Sequence, residues 1–364
     1  MSPPLSLASG SPEAPSGTFD VALLDLDGVV YVGPDAVPGV PDVLASARAA
    51  GMRLGFVTNN AARTPEEVAG HLTALGVPAK TDDVITSSQA AATVVADLLG
   101  AGAAVLPVGG AGVAAALTAA GLRVVARAEE EPVAVVQGYG REVGWVQLAE
   151  AVVAVRNGAR HVATNTDATI PSPRGLLPGN GAMVGVVSAI TGQVPLVTGK
   201  PDPAMHAECV RRTGARRPLV VGDRLDTDIE GARRAGAASL LVLTGVTDPA
   251  ILLAASPQHR PDLLAADAGG LLVPHPAVDR VDGGLRCGAW TARPAEAEGA
   301  WLLAADASAT DPGDGLDGLR AVCVAHWERH PDDGAPARVV AADPVAAAAL
   351  AEWGLGPAAT GSEQ

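Results

Sequence analysis

An α/β fold is predicted for this chain: a doubly wound parallel sheet, an inserted α/β domain and a small C-terminal α/β unit. Three observations lead there. Short apolar runs alternate with helical patterns from residue 19 onward, the order that builds parallel strands with helices on both faces. Four of those runs end in polar motifs: VALL leads into Asp25-Leu-Asp27-Gly28, RLGFV into Thr58-Asn59-Asn60, PLVT into Gly199-Lys200-Pro201, and PLVV into Gly222-Asp223 and on to Asp228. Residues just past strand ends line the ligand crevice of an open α/β sheet, so four such strands side by side would gather these groups at one place. Finally, residues 100–194 carry strands and helices of their own and separate the second motif from the third.

At 364 residues the chain exceeds one ordinary domain. Hydrophobic residues make up 48% and aromatic ones only 2%, so the cores must be built from Ala, Val and Leu. A formal charge of -15 argues against a nucleic-acid partner, which demands Lys/Arg-rich surfaces. An anionic substrate would then be drawn in by a local metal or lysine, not by the global field. Cys209, Cys287 and Cys323 are odd in number and far apart, which excludes a disulfide scaffold. No apolar run is long enough to cross a bilayer, so no membrane partner is expected. The opening residues MSPPLSLASGSPEAPSG lack a basic segment followed by an apolar one, so 1–18 read as a disordered tail and not a signal peptide. The expected location is cytoplasmic.

The elements follow in order. FDVALLDL reads as a strand, PDVLASARAAG as a helix and RLGFVT as a strand. Thr64-Pro65-Glu66-Glu67 then opens a helix with capping-box spacing and a first-turn proline, and Gly76 closes it. Within 100–194, AAVLPVGG, VVARA, PVAVVQG and HVATNT read as strands, with helices around Trp145–Arg156 and Met183–Ile190. The main domain resumes with QVPLVTGK, a helix capped by Asp202 with Pro203 behind it, the strand RPLVVGD, a helix near Asp228–Ala235 and the strand ASLLVLTG. Pro274, Pro276 and DGGLRCG suggest a linker, followed by a helix in GLRAVCVAHWERH, a strand in ARVVAAD and a helix in PVAAAALAEWGL. The domains expected are therefore a tail 1–18, a core 19–99 with 195–272, an insert 100–194 hanging over the crevice as a lid, and a C-terminal unit 273–364.

Asp25 and Asp27 stand two apart at a strand end, so both can face the same side, and Gly28 permits a sharp turn. An isolated DxD is commonly a turn with solvated carboxylates; the three partner motifs overturn that reading. Thr58, Asn59 and Asn60 offer a hydroxyl, two amides and backbone N–H groups, which suit phosphate oxygens. Lys200 is one of only two lysines, Lys80 being the other, and can present a point charge to a phosphoryl group. Asp223 and Asp228 add two carboxylates, and Thr227 is a candidate helix cap. Carboxylates so concentrated repel unless a cation intervenes, and Mg²⁺ suits an all-oxygen donor set. The histidines lack zinc-ligand spacing, with His71 and His206 reading as helix residues. Gly109 to Gly112 read as a turn before a helix, and no P-loop is present. The constellation is the one metal-assisted phosphoryl transfer needs.

Taken together, DLDGVVYVG, FVTNN, GKPDP and GDRLDTD resemble the haloacid dehalogenase superfamily over residues 19–272. The likeness is to its branch with a large α/β cap between the second and third motifs, the phosphoglycolate, pyridoxal-phosphate, nitrophenyl-phosphate and nucleotide phosphatases. The resemblance implies a Rossmann-like core. It implies Asp25 as nucleophile forming an aspartyl-phosphate, and Asp27 as the acid for the leaving oxygen and then the base for water. Thr58, Asn59, Asn60 and Lys200 would hold the phosphoryl group. Asp223, the Asp25 carboxylate and the Asp27 carbonyl would bind Mg²⁺, with Asp228 behind them orienting a water or Lys200. Specificity would lie in the cap loop ATNTDATIPSPRGLLPGNGAM. There Ile170 stands where pyridoxal-phosphate phosphatases of this branch carry a histidine, and Asp167 is placed to meet a substrate hydroxyl. With its third unit, the architecture resembles actinobacterial glycerol 3-phosphate phosphatases, whose tail is like part of an acetyltransferase fold. The tail lacks a QxxGxG pyrophosphate loop, so a stabilising or oligomerising role is expected of it. The implied activity is phosphomonoester hydrolysis of a small phosphorylated metabolite by a homodimer. Phosphoglycolate, nucleotide and aryl-phosphate hydrolysis stand as alternatives, as does a vestigial core with a sensing or assembly role in the tail.

Overall fold

The computed structural model describes residues 5–170, 172, 174–297, 299–306 and 313–356. Residues 1–4 and 357–364, at the ends of the expected tail and C-terminal unit, lie outside the described residues. The chain forms two compact units: Leu54–Arg216, and a discontinuous one joining the residues up to Arg53 with those from Arg217 onward.

In the discontinuous unit, four parallel strands run side by side in the order Leu263–Ala265, Ala238–Val242, Pro218–Gly222 and Val21–Asp25. Their residues are buried almost throughout, as expected of parallel strands covered on both faces. Leu24 pairs with Val221, so the next residues, Asp25 and Gly222, end their strands level with one another. Of the four strand ends that the sequence predicts to converge, these two lie side by side.

The expected disorder of 1–18 is corrected over residues 5–18. Leu7 is buried in the core beside Leu241 and Leu264. Ser11 N donates to His275 O (2.9 Å), His275 N donates to Ser11 O (2.8 Å), and Pro15–Thr18 form a short helix. Local composition hides this because the partner of Ser11 comes so much later in the chain.

The C-terminal segment of this unit forms a five-stranded sheet, Asp279–Val281, Gly284–Cys287, Trp290–Pro294, Ala300–Ala305 and Arg338–Ala341, antiparallel except for its last pair. Helix Asp317–Arg329 is buried along most of its length. One hydrophobic core runs from Leu225, Ile229, Leu252 and Leu264 into Leu303, Leu319, Val322 and Leu350. Arg320, 1% exposed, donates to Leu264 O (2.6 Å), Asp314 Oδ1 (2.6 Å) and Asp317 Oδ1 (2.8 Å). Trp327 Nε1 donates to Leu253 O (3.2 Å).

The contiguous unit begins within strand Arg53–Thr58, which pairs in parallel with Val84–Thr86. Helix Pro65–Ala74 has the predicted capping box: Glu67 N donates to Thr64 Oγ1 (3.3 Å) and Thr64 N to Glu67 Oε2 (2.9 Å). A second, all-parallel sheet follows in the order Leu196–Val197, Arg160–Ala163, Ala134–Gln137, Ala104–Val108 and Arg123–Val124. Alternate residues of its strands serve two cores: Val105, Ala134 and Val136 one, Ala104, Leu106 and Val135 the other. Its helices include Trp145–Arg156 and Asn180–Thr191, the second longer than the pattern predicts.

One expectation is overturned here. The strand before Lys200 was to lie with the strands of the main sheet, yet Leu196 and Val197 pair with Val162 and Ala163 of the inserted segment's sheet. The strand is two residues long and at that sheet's edge, with Leu196 exposed. An apolar run names a strand but not its partner.

Among the described residues, no helix is long and apolar enough to cross a membrane.

Candidate active site

Asp25 closes its strand half-buried, while Asp223 and Asp228 are almost wholly buried. One carboxylate oxygen from each of the three lies within 4.8 Å of the others. A wide helical turn, Leu225–Ile229, carries Asp228 back over the end of strand Pro218–Gly222. There its Oδ2 accepts from Arg224 N (3.2 Å). Gly222 makes the approach possible, since a Cβ at that position would collide with the Asp228 side chain. Gly28, at φ +84°, gives Asp223 the same room: a Cβ there would sit 2.5 Å from Asp223 Oδ2. That oxygen also accepts from Val246 N (2.7 Å).

Three carboxylates in so small and dry a space repel one another unless protons or a cation offset the charge. The donors are all hard oxygens, and the glycines keep the space around Asp223 clear of side chains. This set fits a divalent cation of the Mg²⁺ kind. Asp228 lies beside the other two carboxylates. Asp27 lies exposed on the turn after Asp25, where Gly28 N donates to Tyr31 O (2.8 Å). Thr227 is not a helix cap: it lies inside the wide turn, and helix Glu230–Ala235 starts after Ile229 without a side-chain cap. Asp226, beside it, forms an ion pair with Arg224 (2.8 Å).

The second group lies within the contiguous unit. Thr58, at the end of its strand, accepts at Oγ1 from Asn60 N (3.0 Å), and Asn60 Oδ1 accepts from Ala62 N (2.9 Å). These are local turns that aim the loop. Asn59 does something the motif does not reveal. Its Oδ1 accepts from Lys200 N (2.9 Å) and its Nδ2 donates to Lys200 O (3.1 Å), so its amide is spent on the lysine's own backbone. Asn59 Nδ2 also reaches Asp167 Oδ2 at 3.4 Å, which brings the predicted specificity residue Asp167 beside it. A Cβ on Gly199 would collide with Thr164 O, so only glycine admits this approach.

Ile170 sits half-buried on a small hairpin, Thr169–Ile170 with Leu177–Pro178. It lines a cavity of about 370 Å³ together with Tyr139, Arg141, Leu177, Asn180 and Met183. The glycine run at 109–112 is a turn before a helix, as expected: Gly110 precedes helix Ala111–Ala119, and Gly112 N donates to Ala62 O (3.0 Å).

Two buried asparagines escape the sequence reading. Asn165 Nδ2 donates to Asn59 O (2.7 Å), and Asn180 Nδ2 donates to Asn165 O (2.8 Å) and to Gln137 O (3.2 Å). Asn165 lies two residues past strand Arg160–Ala163, so the rule that singled out Thr58 and Asp223 could have found it.

A known protein is similar to this chain along nearly its whole length. D-glycerol 3-phosphate phosphatase of Mycobacterium tuberculosis is 44% identical over 349 residues, 92% of this chain and 94% of that protein. The chain belongs to the haloacid dehalogenase-like hydrolases. Within this hydrolase, residues 22–123 match the haloacid dehalogenase-like hydrolase family and 197–271 the HAD-hydrolase-like family, so all four motifs fall inside the two matches. Residues 287–355 match a GCN5-related N-acetyltransferase like domain, as the resemblance led one to expect. An acid sugar phosphatase of Staphylococcus aureus is 40% identical over 231 residues, 63% of the hydrolase and 88% of that protein. Crystal structures of the M. tuberculosis glycerol phosphate phosphatase superimpose with TM-scores of 0.86 for its calcium complex (42% identity, 95% of this chain, 100% of that one) and 0.83 for its magnesium complex (44%, 94% and 99%).

Proposed function

We propose that this hydrolase releases inorganic phosphate from a small polyol phosphate, with glycerol 3-phosphate the foremost substrate, in a Mg²⁺-dependent reaction through an aspartyl-phosphate. The observation that carries the proposal is the cluster of Asp25 and Asp223, at adjacent strand ends, with Asp228 from the turn above them. The likeness to a glycerol 3-phosphate phosphatase over 92% of the chain supports the substrate.

In this reading Asp25 attacks phosphorus, and the bond to the ester oxygen breaks as Asp27 supplies a proton to it. Asp27 then takes a proton from water, whose oxygen attacks phosphorus and frees the Asp25 carboxylate. Thr58, Asn60 and the Lys200 ammonium hold the phosphoryl oxygens. Mg²⁺, held by Asp25 and Asp223 with the Asp27 carbonyl and with Asp228 close by, would offset the charge shared by carboxylates and phosphoryl group. Asp167 and Ile170 shape selection among small substrates, with residues 100–194 as cap and 273–364 as an accessory unit. The reading makes the protein a cytoplasmic homodimer, and light scattering of the purified protein tests its assembly.

The deciding experiment measures phosphate release from glycerol 3-phosphate, phosphoglycolate, a nucleoside monophosphate and an aryl phosphate, with Mg²⁺ and with EDTA. Glycerol 3-phosphate is expected to be preferred, and activity is expected to vanish with EDTA and in Asp25→Asn. Activity that survives Asp25→Asn would overturn the mechanism. A preference for another ester would overturn the substrate.

A further inference from the structure

Lys200 has no support from a long strand. The strand before it ends at Val197, and one further hydrogen bond, Thr198 N to Ala163 O (3.1 Å), continues the pairing before the chain turns at Gly199. What holds the lysine backbone beyond that point is the Asn59 side chain, which takes both the N–H and the C=O of Lys200 as a neighbouring strand would. Asn59 is in turn held by its own carbonyl. That oxygen accepts from two buried side chains, Ser87 Oγ (2.7 Å) and Asn165 Nδ2 (2.7 Å). Asn165 is fixed from both sides: its Oδ1 accepts from Asp167 N (3.2 Å), and its own carbonyl accepts from Asn180 Nδ2.

We propose that Asn165 is a positioning residue for Lys200, acting through the Asn59 carbonyl. The inference rests on the reading of Lys200 as the cation that holds the phosphoryl group. Three side-chain amides in line, Asn180, Asn165 and Asn59, connect the end of strand Ala134–Gln137 to the lysine backbone. Each is a donor to a main-chain carbonyl, so the line fixes backbone and not merely side chains. Both amide functions of Asn165 are used, one for Asn59 and one for Asp167, so a single residue sets the predicted cation and the predicted specificity carboxylate together.

Asn165→Asp separates these functions. It keeps an acceptor for Asp167 N but turns the donor facing Asn59 O into a second acceptor. The readout is the inhibition constant of inorganic phosphate, with the Mg²⁺ concentration for half-activation and the melting temperature measured alongside. Asn165→Asp is expected to weaken phosphate inhibition about tenfold, the loss of about one buried hydrogen bond, with Mg²⁺ half-activation unchanged. Ser87→Ala removes the other donor to the same carbonyl without touching Asp167, and is expected to act in the same direction should Asn165→Asp fold poorly. In a Lys200→Ala background the effect of either change on phosphate inhibition is expected to disappear, since both act through the lysine.

If Lys200→Ala weakens phosphate inhibition but neither other variant does, the positioning role is overturned and the reading of Lys200 stands. If the effects persist in the Lys200→Ala background, Asn165 does not act through the lysine. If Lys200→Ala leaves phosphate inhibition unchanged, the reading of Lys200 falls, and the inference falls with it.

Discussion

His161 is a buried imidazole whose Nε2 meets Gln137 Oε1 at 3.0 Å inside the five-stranded parallel sheet. Burial pulls its pKa down to about 4, and burial likewise lowers those of His206, His275 and His326. The folded chain therefore resists protonation that the unfolded chain accepts. Between the ordinary histidine value near 6.5 and about 4, the unfolded state binds more protons, so stability is full above that window and falls as pH drops through it. Each such histidine adds a slope of up to about 1.4 kcal/mol per pH unit. Urea unfolding at pH 7 and pH 5 is expected to show this loss, and His161→Gln to reduce it; an unchanged difference would mean His161 takes no part. At this scale the meeting of Asp25 with Asp223 was legible in the sequence because each directly follows an apolar run. The hold of Asn59 on the Lys200 backbone went unseen because a motif names a side chain without saying which of its atoms already have partners. Asn180 went unseen because its partners are main-chain carbonyls, which have no sequence signature, and Asn165 was passed over although it lies just past a strand end.

Helix Pro65–Ala74 shows how local signals suffice when both partners lie within one turn. Thr64 and Glu67 satisfy each other's backbone N–H groups, and the sequence alone predicts the helix start. Thr64→Ala is expected to lower stability by about 1 kcal/mol without altering the phosphate-release rate, read by thermal or urea melts beside activity. A loss near zero would show that water serves that helix end equally well. Strand Leu196–Val197 is the opposite case. Its apolar run is genuine, but its neighbour is decided by hydrogen bonds to Arg160–Ala163, which no local pattern encodes. The wide turn Leu225–Ile229 is hidden for a similar reason, since its carboxylates and Thr227 imitate a helix cap while lying ahead of the regular helix.

For the whole molecule, the C-terminal segment is a structural partner of the turn that carries Asp228. Leu225 and Ile229, at the two ends of the Asp228 turn, share a core with Leu319, Val322 and Leu350. Arg320 crosses that core with its charge balanced by Asp314 and Asp317. Arg320→Ala would leave those carboxylates without their cation and is expected to cost about 3–5 kcal/mol, whereas Arg320→Ala with Asp314→Ala and Asp317→Ala together should cost less than the sum of the separate changes. Chemical denaturation of the set tests this; strict additivity would show that the three do not act as a unit. The sequence predicted the two helices and the last strand of this segment, but it read the glycines of DGGLRCG as a linker where strand Gly284–Cys287 forms. It missed strands Asp279–Val281, Trp290–Pro294 and Ala300–Ala305, and gave no sign of the core they share with residues before Leu272. Contacts between distant stretches of chain leave no mark on the composition of either one.

The discontinuous unit also sets an order of events during synthesis. Residues 54–216 leave the ribosome as one uninterrupted stretch and can fold as soon as they emerge. Strand Val21–Asp25 emerges first but must wait for Pro218–Gly222 before it has that parallel neighbour, and Leu7 waits for core residues as late as Leu350. The strand that carries Asp25 is thus made before residues 54–216 and gains that neighbour only after them. Until Pro218–Gly222 emerges, the apolar residues Val21, Ala22, Leu23 and Leu24 lack the cover of that strand.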